Sequence, residues 1–204
     1  MAATSERLLA KAMAVLKRER RLLRFSEVLD LGIHRDTLRA LRDRGTVEQV
    51  TRGVYRLANG PTLEQPDLTV VARRIPGAVV CLISALALHD LTTQIPHAVD
   101  IALKKGRKTP RLDFPPIRAH WWSPAALTHG VEVRKFDGIE VLVTDVERSV
   151  ADAFRYRNQL GLDVAIEALK SWRERRGVRP EKLLKAAKVV RVDNVIRPYL
   201  TATL

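Results

Sequence analysis

The chain has 204 residues, 36 Lys+Arg against 23 Asp+Glu, a formal net charge of +13 and a hydrophobic fraction of 46%. The length allows one medium domain or two small ones, and that apolar content excludes a disordered chain. The single cysteine, Cys81, excludes a disulfide framework and an all-cysteine metal site.

Leu8, Leu9, Ala12, Val15 and Leu16 recur at helical spacing and predict a first helix from a Ser5 cap to about Arg21. Charged residues interrupt this segment (Glu6, Arg7, Lys11, Lys17), so it is no signal-peptide core. No apolar run approaches the roughly 18–20 residues that span a bilayer. The expectation is a cytoplasmic protein without membrane partners, whose basic balance favours polyanions, nucleic acid first.

Ser26 is placed to cap a short second helix, Glu27 to Leu31, stopped by Gly32. A third helix runs from about Arg35 to Arg44 and ends at Gly45. Val47–Val50 and Val54–Leu57 flank Thr51-Arg52-Gly53, which suits a tight hairpin. Three helices followed by a hairpin is the order of a winged helix-turn-helix. On the third helix Leu38 and Leu41, with Ile33 before them, form the buried side, and Arg35, Arg39 and Arg42 share one exposed face. Such a face fits the major groove, where Arg bonds guanine O6 and N7 or holds phosphates. Thr37 is placed for a phosphate or a thymine methyl, and Arg52 sits at the wing tip. The ordinary alternative is a merely solvated helix face. The basic wing beside it favours DNA contact.

Residues 59–67, rich in Gly and Pro and without periodicity, read as a linker between a DNA-binding domain (1–58) and a larger domain (68–204). In the larger part, Ser84–Leu91 reads as a helix capped by Ser84, and Val99–Leu103 and Ile117–Trp122 read as strands. Val131–Phe136 and Ile139–Val143 flank Asp137-Gly138, a type I′ hairpin signal. Thr144 to Glu147 has capping-box spacing before a helix to about Arg157. Amphipathic helices follow over Asp163–Arg176 and from Pro180 to about Val189. The fold class is mixed α/β (α+β): an N-terminal winged helix, then a small mostly antiparallel sheet with C-terminal helices.

Net charge is uneven along this part, +5 over residues 101–120, −3 over 121–169 and +7 over 170–191. Charge runs are often solvated faces, but either basic cluster could meet an acidic partner. Chemistry is scarce. The histidines lack metal-site spacing, no phosphate loop is present, and Cys81 lies in the apolar run Val79–Ile83. Asp100 and Lys104 share a strand face, and Glu140 stands on another strand. The acid-x-Lys spacing of a metal-dependent nuclease is missing. Arg148 and Asp152, at i and i+4, read as a structural helical ion pair, worth about 0.3–0.5 kcal/mol if exposed. Trp121 and Trp122 must face opposite sides of their strand, so one is core and the other a candidate interface residue. The expectation is a non-enzyme with no cofactor and no metal. The alternatives are a nuclease targeted by a winged helix and a ligand-responsive transcription regulator.

Gly32-Ile-His-Arg-Asp-Thr-Leu38, Leu41, Arg44-Gly45, Val50 and Arg52-Gly-Val-Tyr-Arg56 resemble the winged-helix domain of AbiEi-type antitoxins. Ser84-Ala-Leu-Ala-Leu-His89, Leu91 and Thr144-Asp-Val-Glu-Arg-Ser-Val-Ala-Asp152 resemble the C-terminal domain of that family. His34 departs from the Ser that related sequences often carry as helix cap. The resemblance implies the antitoxin of a bacterial type IV toxin–antitoxin (abortive infection, phage defence) system. Its winged helix would bind inverted repeats in its own promoter as an autorepressor. Its C-terminal domain would neutralise a nucleotidyltransferase-like toxin, directly or indirectly. The candidate residues for neutralisation are Ser84, His89, Thr144, Glu147, Arg148 and Asp152 from the motifs, with Lys170, Arg173 and Arg176 from the C-terminal basic cluster.

Overall fold

The computed structural model describes residues 2–108 and 110–202, with side chains from residue 6 onward. One unit contains the chain up to Pro76 together with 111–115 and 135–140; the other contains 77–110, 116–134 and the chain from Val141.

The first unit begins with α1 (Ala2–Glu19), β1 (Leu23–Arg24), α2 (Phe25–Asp30) and α3 (Arg35–Asp43). β2 (Val47–Thr51) and β3 (Val54–Leu57) close an antiparallel sheet of order β1-β3-β2. This is a winged helix-turn-helix. Its core gathers Leu9, Ala12 and Leu16 of α1 with Val28, Ile33, Leu38, Leu41 and Val47. Two expected caps are displaced. α1 already begins at Ala2, so Ser5 lies within it, and the Ser5 side chain is outside the described residues. α2 begins at Phe25 because the Glu27 carboxylate reaches back to accept from the Arg24 N–H at 2.7 Å, which leaves Ser26 inside the first turn. His34 does cap α3: its Nδ1 accepts from the Asp36 N–H at 3.4 Å.

A further helix, α4 (Pro66–Arg74), has Pro at its start and buries Leu68, Thr69, Val70 and Val71. It belongs to the first unit, whose first stretch runs to Pro76. Arg24 explains the attachment. Its Nε donates to the Arg73 carbonyl at 2.5 Å and its Nη2 to that of Ala72 at 3.4 Å, satisfying carbonyls that a helix end leaves open. Arg73 in turn donates to Glu27 at 3.0 Å.

The second unit carries β4 (Val79–Val80), α5 (Leu82–Leu88), β5 (Val99–Lys104), β6 (Ile117–Trp122) and α6 (Pro124–Thr128). The β7 (Val131–Phe136) and β8 (Ile139–Thr144) hairpin follows, its tip, 135–140, being counted with the first unit, then α7 (Val146–Arg155), α8 (Arg157–Leu160), α9 (Leu162–Arg173), α10 (Pro180–Val189) and α11 (Asp193–Ala202). The sheet order is β6-β5-β4-β8-β7. Antiparallel pairing of β4 with β5 stands beside parallel pairs β5–β6 and β4–β8, so the sheet is mixed. Asp137 and Gly138 have φ of 49° and 75°, the two positive values a type I′ turn needs. α7, α9, α10 and α11 pack a core of Val150, Phe154, Leu169, Trp172, Leu183 and Ile196, with Ile83 and Leu86 of α5.

Two more caps shift. Cys81, not Ser84, precedes α5, and Ser84 is its third residue. Asp145, not Thr144, caps α7: its side chain accepts from the Arg148 N–H at 2.7 Å, so Glu147 stands one place too early for the capping box.

Candidate nucleic-acid interface

α3 presents Arg35, Arg39 and Arg42 to solvent, while Leu38 and Leu41 turn inward. The arginines are lightly held. Arg35 lies 3.8 Å from Asp36, and Arg39 and Arg42 share Asp43 at 3.8 and 3.2 Å. Exposed pairs of this kind contribute at most about 1 kcal/mol and can be exchanged for phosphate or a base edge. Thr37 is half-buried, at the margin of the face. Arg52 is exposed at the wing tip.

The sequence reading missed a second basic feature of this unit. Arg74 of α4 lies beside the wing turn, its Nη1 3.7 Å from where a side chain on Gly53 would begin. Arg21 and Arg73 converge on Glu27, each at 3.0 Å. Burial pushes the Arg73 guanidinium below its ordinary value despite Glu27, and Arg21 and Arg24 add repulsion. No local period signals this cluster, because α4 joins it from more than 40 residues away.

The motif residues of the second unit are mostly interior. Ser84 Oγ accepts from the Asp100 N–H at 2.9 Å and donates to the Ala98 carbonyl at 3.3 Å. Thr144 Oγ1 and Ser149 Oγ are 2.8 Å apart. The guanidinium of Arg148 lies over the Trp122 ring, bonds Asp152 at 2.9 Å, and donates to the carbonyls of Ala126 and His129. Both members of the pair are only 1% exposed, so the ion pair is interior and the surface value does not apply. Burial raises the Asp152 carboxyl to about 6 against the pull of Arg148. Glu147 alone of the six is half-exposed. Lys170, Arg173 and Arg176 are exposed.

His89 is buried, with Nε2 2.7 Å from the Thr144 carbonyl and Nδ1 3.4 Å from Arg134. A neutral ring donating through Nε2 and accepting at Nδ1 satisfies both contacts. Burial lowers its pKa, and the nearby cations Arg134 and Arg175 lower it further. A depressed folded-state pKa favours folding above the unfolded value, about 6.5, and this stability is lost as pH falls. The melting temperature is therefore expected to decline between about pH 7 and 5, with His89→Gln flattening that part of the curve. An unchanged slope in His89→Gln would exclude the assignment.

Asp100 is buried, with Oδ1 2.9 Å from His120 Nε2 and 3.6 Å from Arg118. Its place in the nuclease alternative is thus inside a polar packing contact. Among the described residues no three His, Cys, Asp or Glu groups are arranged to hold a metal ion. No helix among them is long and apolar enough to cross a membrane.

Residues 11–58 match the family described as transcriptional regulator, AbiEi antitoxin. No curated protein matches. The fold is similar to the crystal structure of the RV2827C protein from Mycobacterium tuberculosis, with a TM-score of 0.59 at 14% identity over 95% of this chain and 80% of that one.

Proposed function

Taking residues 11–58 as an AbiEi antitoxin-type transcriptional-regulator domain, we propose that the protein is a cytoplasmic, autorepressing antitoxin of a type IV toxin–antitoxin system. It binds inverted repeats in its own promoter through α3 and the wing. It neutralises a nucleotidyltransferase-like toxin through residues 68–204, and is not itself an enzyme. The observation that carries this reading is the exposed face of Arg35, Arg39 and Arg42, whose ion pairs are weak, in the same winged-helix unit as exposed Arg52. Ser84, His89, Thr144, Arg148 and Asp152 support neutralisation by holding the domain together, since buried groups offer a partner no surface. Exposed Lys170, Arg173 and Arg176 supply a basic face on and just beyond α9.

The test is growth rescue. The full chain, co-expressed with the nucleotidyltransferase-like protein encoded beside it, is expected to restore growth. Reversing the charge of Lys170, Arg173 and Arg176 together is expected to abolish rescue while leaving promoter binding intact. A full chain that binds its promoter but never rescues growth is a regulator and not an antitoxin.

A further inference from the structure

Of the three tryptophans, Trp122 and Trp172 are 6% and 1% exposed, whereas Trp121 is 47% exposed. Alternation along β6 sends Trp122 into the core beside Val79, Cys81 and Ala102, and Trp121 to the other face. β6 is an edge strand of its sheet.

The indole does not hang freely. Its Nε1–H donates to the Arg107 carbonyl at 2.8 Å, which pins the ring edge against the turn after β5. Backbone bonds from Lys105 N–H to the Trp122 carbonyl and from Arg107 N–H to the Lys104 carbonyl, each 3.0 Å, fix the turn beside the strand. Lys105, Arg107 and Lys108 of this turn are exposed, and no acidic residue lies between them.

We propose that Trp121 and the 105–108 turn bind single-stranded nucleic acid, a base stacking on the indole and phosphates lying against the cations of the turn. Aromatic platforms inside a basic groove are how single strands are held without sequence preference. A duplex would not suffice, because its bases are already stacked. Within β6, Trp121 is the one large apolar side chain that is exposed, and a single indole face matches a single base. This site is in the second unit, α3 in the first, and it does not depend on the antitoxin reading.

The experiment titrates the full chain with an oligouridylate and an oligothymidylate of about 15 nucleotides, following tryptophan fluorescence at low and high salt. Saturable quenching that weakens with salt is expected. Trp121→Ala is expected to weaken binding about tenfold, whereas Trp121→Phe keeps it within about threefold, because a stacking face remains. Lys105→Glu with Lys108→Glu should weaken it as well, and Arg39→Ala with Arg42→Ala should not. Absence of quenching, or equal binding by Trp121→Ala, overturns the proposal. So does shielding of Trp121 from acrylamide only when a partner protein is added, which would make the patch a protein interface.

Discussion

Arg148→Ala is expected to destabilise the second unit by about 3–5 kcal/mol, the usual cost of removing one member of a buried charged pair. Three losses combine. Asp152 keeps a buried carboxyl whose Oδ1 has lost its partner and whose Oδ2 has none among the described residues. The carbonyls of Ala126 and His129 lose the donor that ties their loop to α7. The Trp122 ring loses the guanidinium stacked on it. Packing there is close, since a side chain on Gly130 would meet Arg148 Cβ at 2.7 Å. Arg148→Met with Asp152→Leu removes the stranded charge and should recover part of the loss, not all, because the two carbonyls stay unmatched. Urea denaturation checks both variants. A single variant within about 1 kcal/mol of the parent would show that the pair carries little of the fold.

Arg39→Ala combined with Arg42→Ala is expected to weaken binding to the promoter duplex about a hundredfold at fixed salt, as each good base contact is worth roughly 1–3 kcal/mol. If one arginine holds phosphate instead, the salt slope should shrink by about 0.9 for that contact. Folding should scarcely change, because the ion pairs to Asp43 that are lost are exposed. Gel-shift titration at several salt concentrations measures both effects. Unchanged affinity would remove α3 from the interface.

Local periodicity made several elements legible. α3 and its arginine face follow from the spacing of Leu38 and Leu41 against Arg35, Arg39 and Arg42. The β7–β8 turn follows from Asp137-Gly138, because few other pairs accept two positive φ values. Caps were less legible. At α2 and α7 the neighbouring residue took the role, since one backbone N–H can be satisfied by any of several nearby oxygens. α11 gave no clear signal because Pro198 lies inside it; the burial of Ile196 and Leu200 on the core outweighs that local penalty.

The sequence by itself determined the winged-helix order, the exposed basic face of α3, and the fact that Trp121 and Trp122 must part. These depend on residues a few positions apart, where helical and strand periods act directly. Only the tertiary structure decided which tryptophan is buried, that Arg148 and Asp152 form an interior pair, and that α4 belongs with the winged helix. Each of those depends on groups distant in sequence: α8's flanking Tyr156 beside Trp122, the 126–129 loop over Arg148, and Arg24 on the end of α4. Burial converts the same charges from weak surface pairs into strong structural ties, and burial is set by the whole fold.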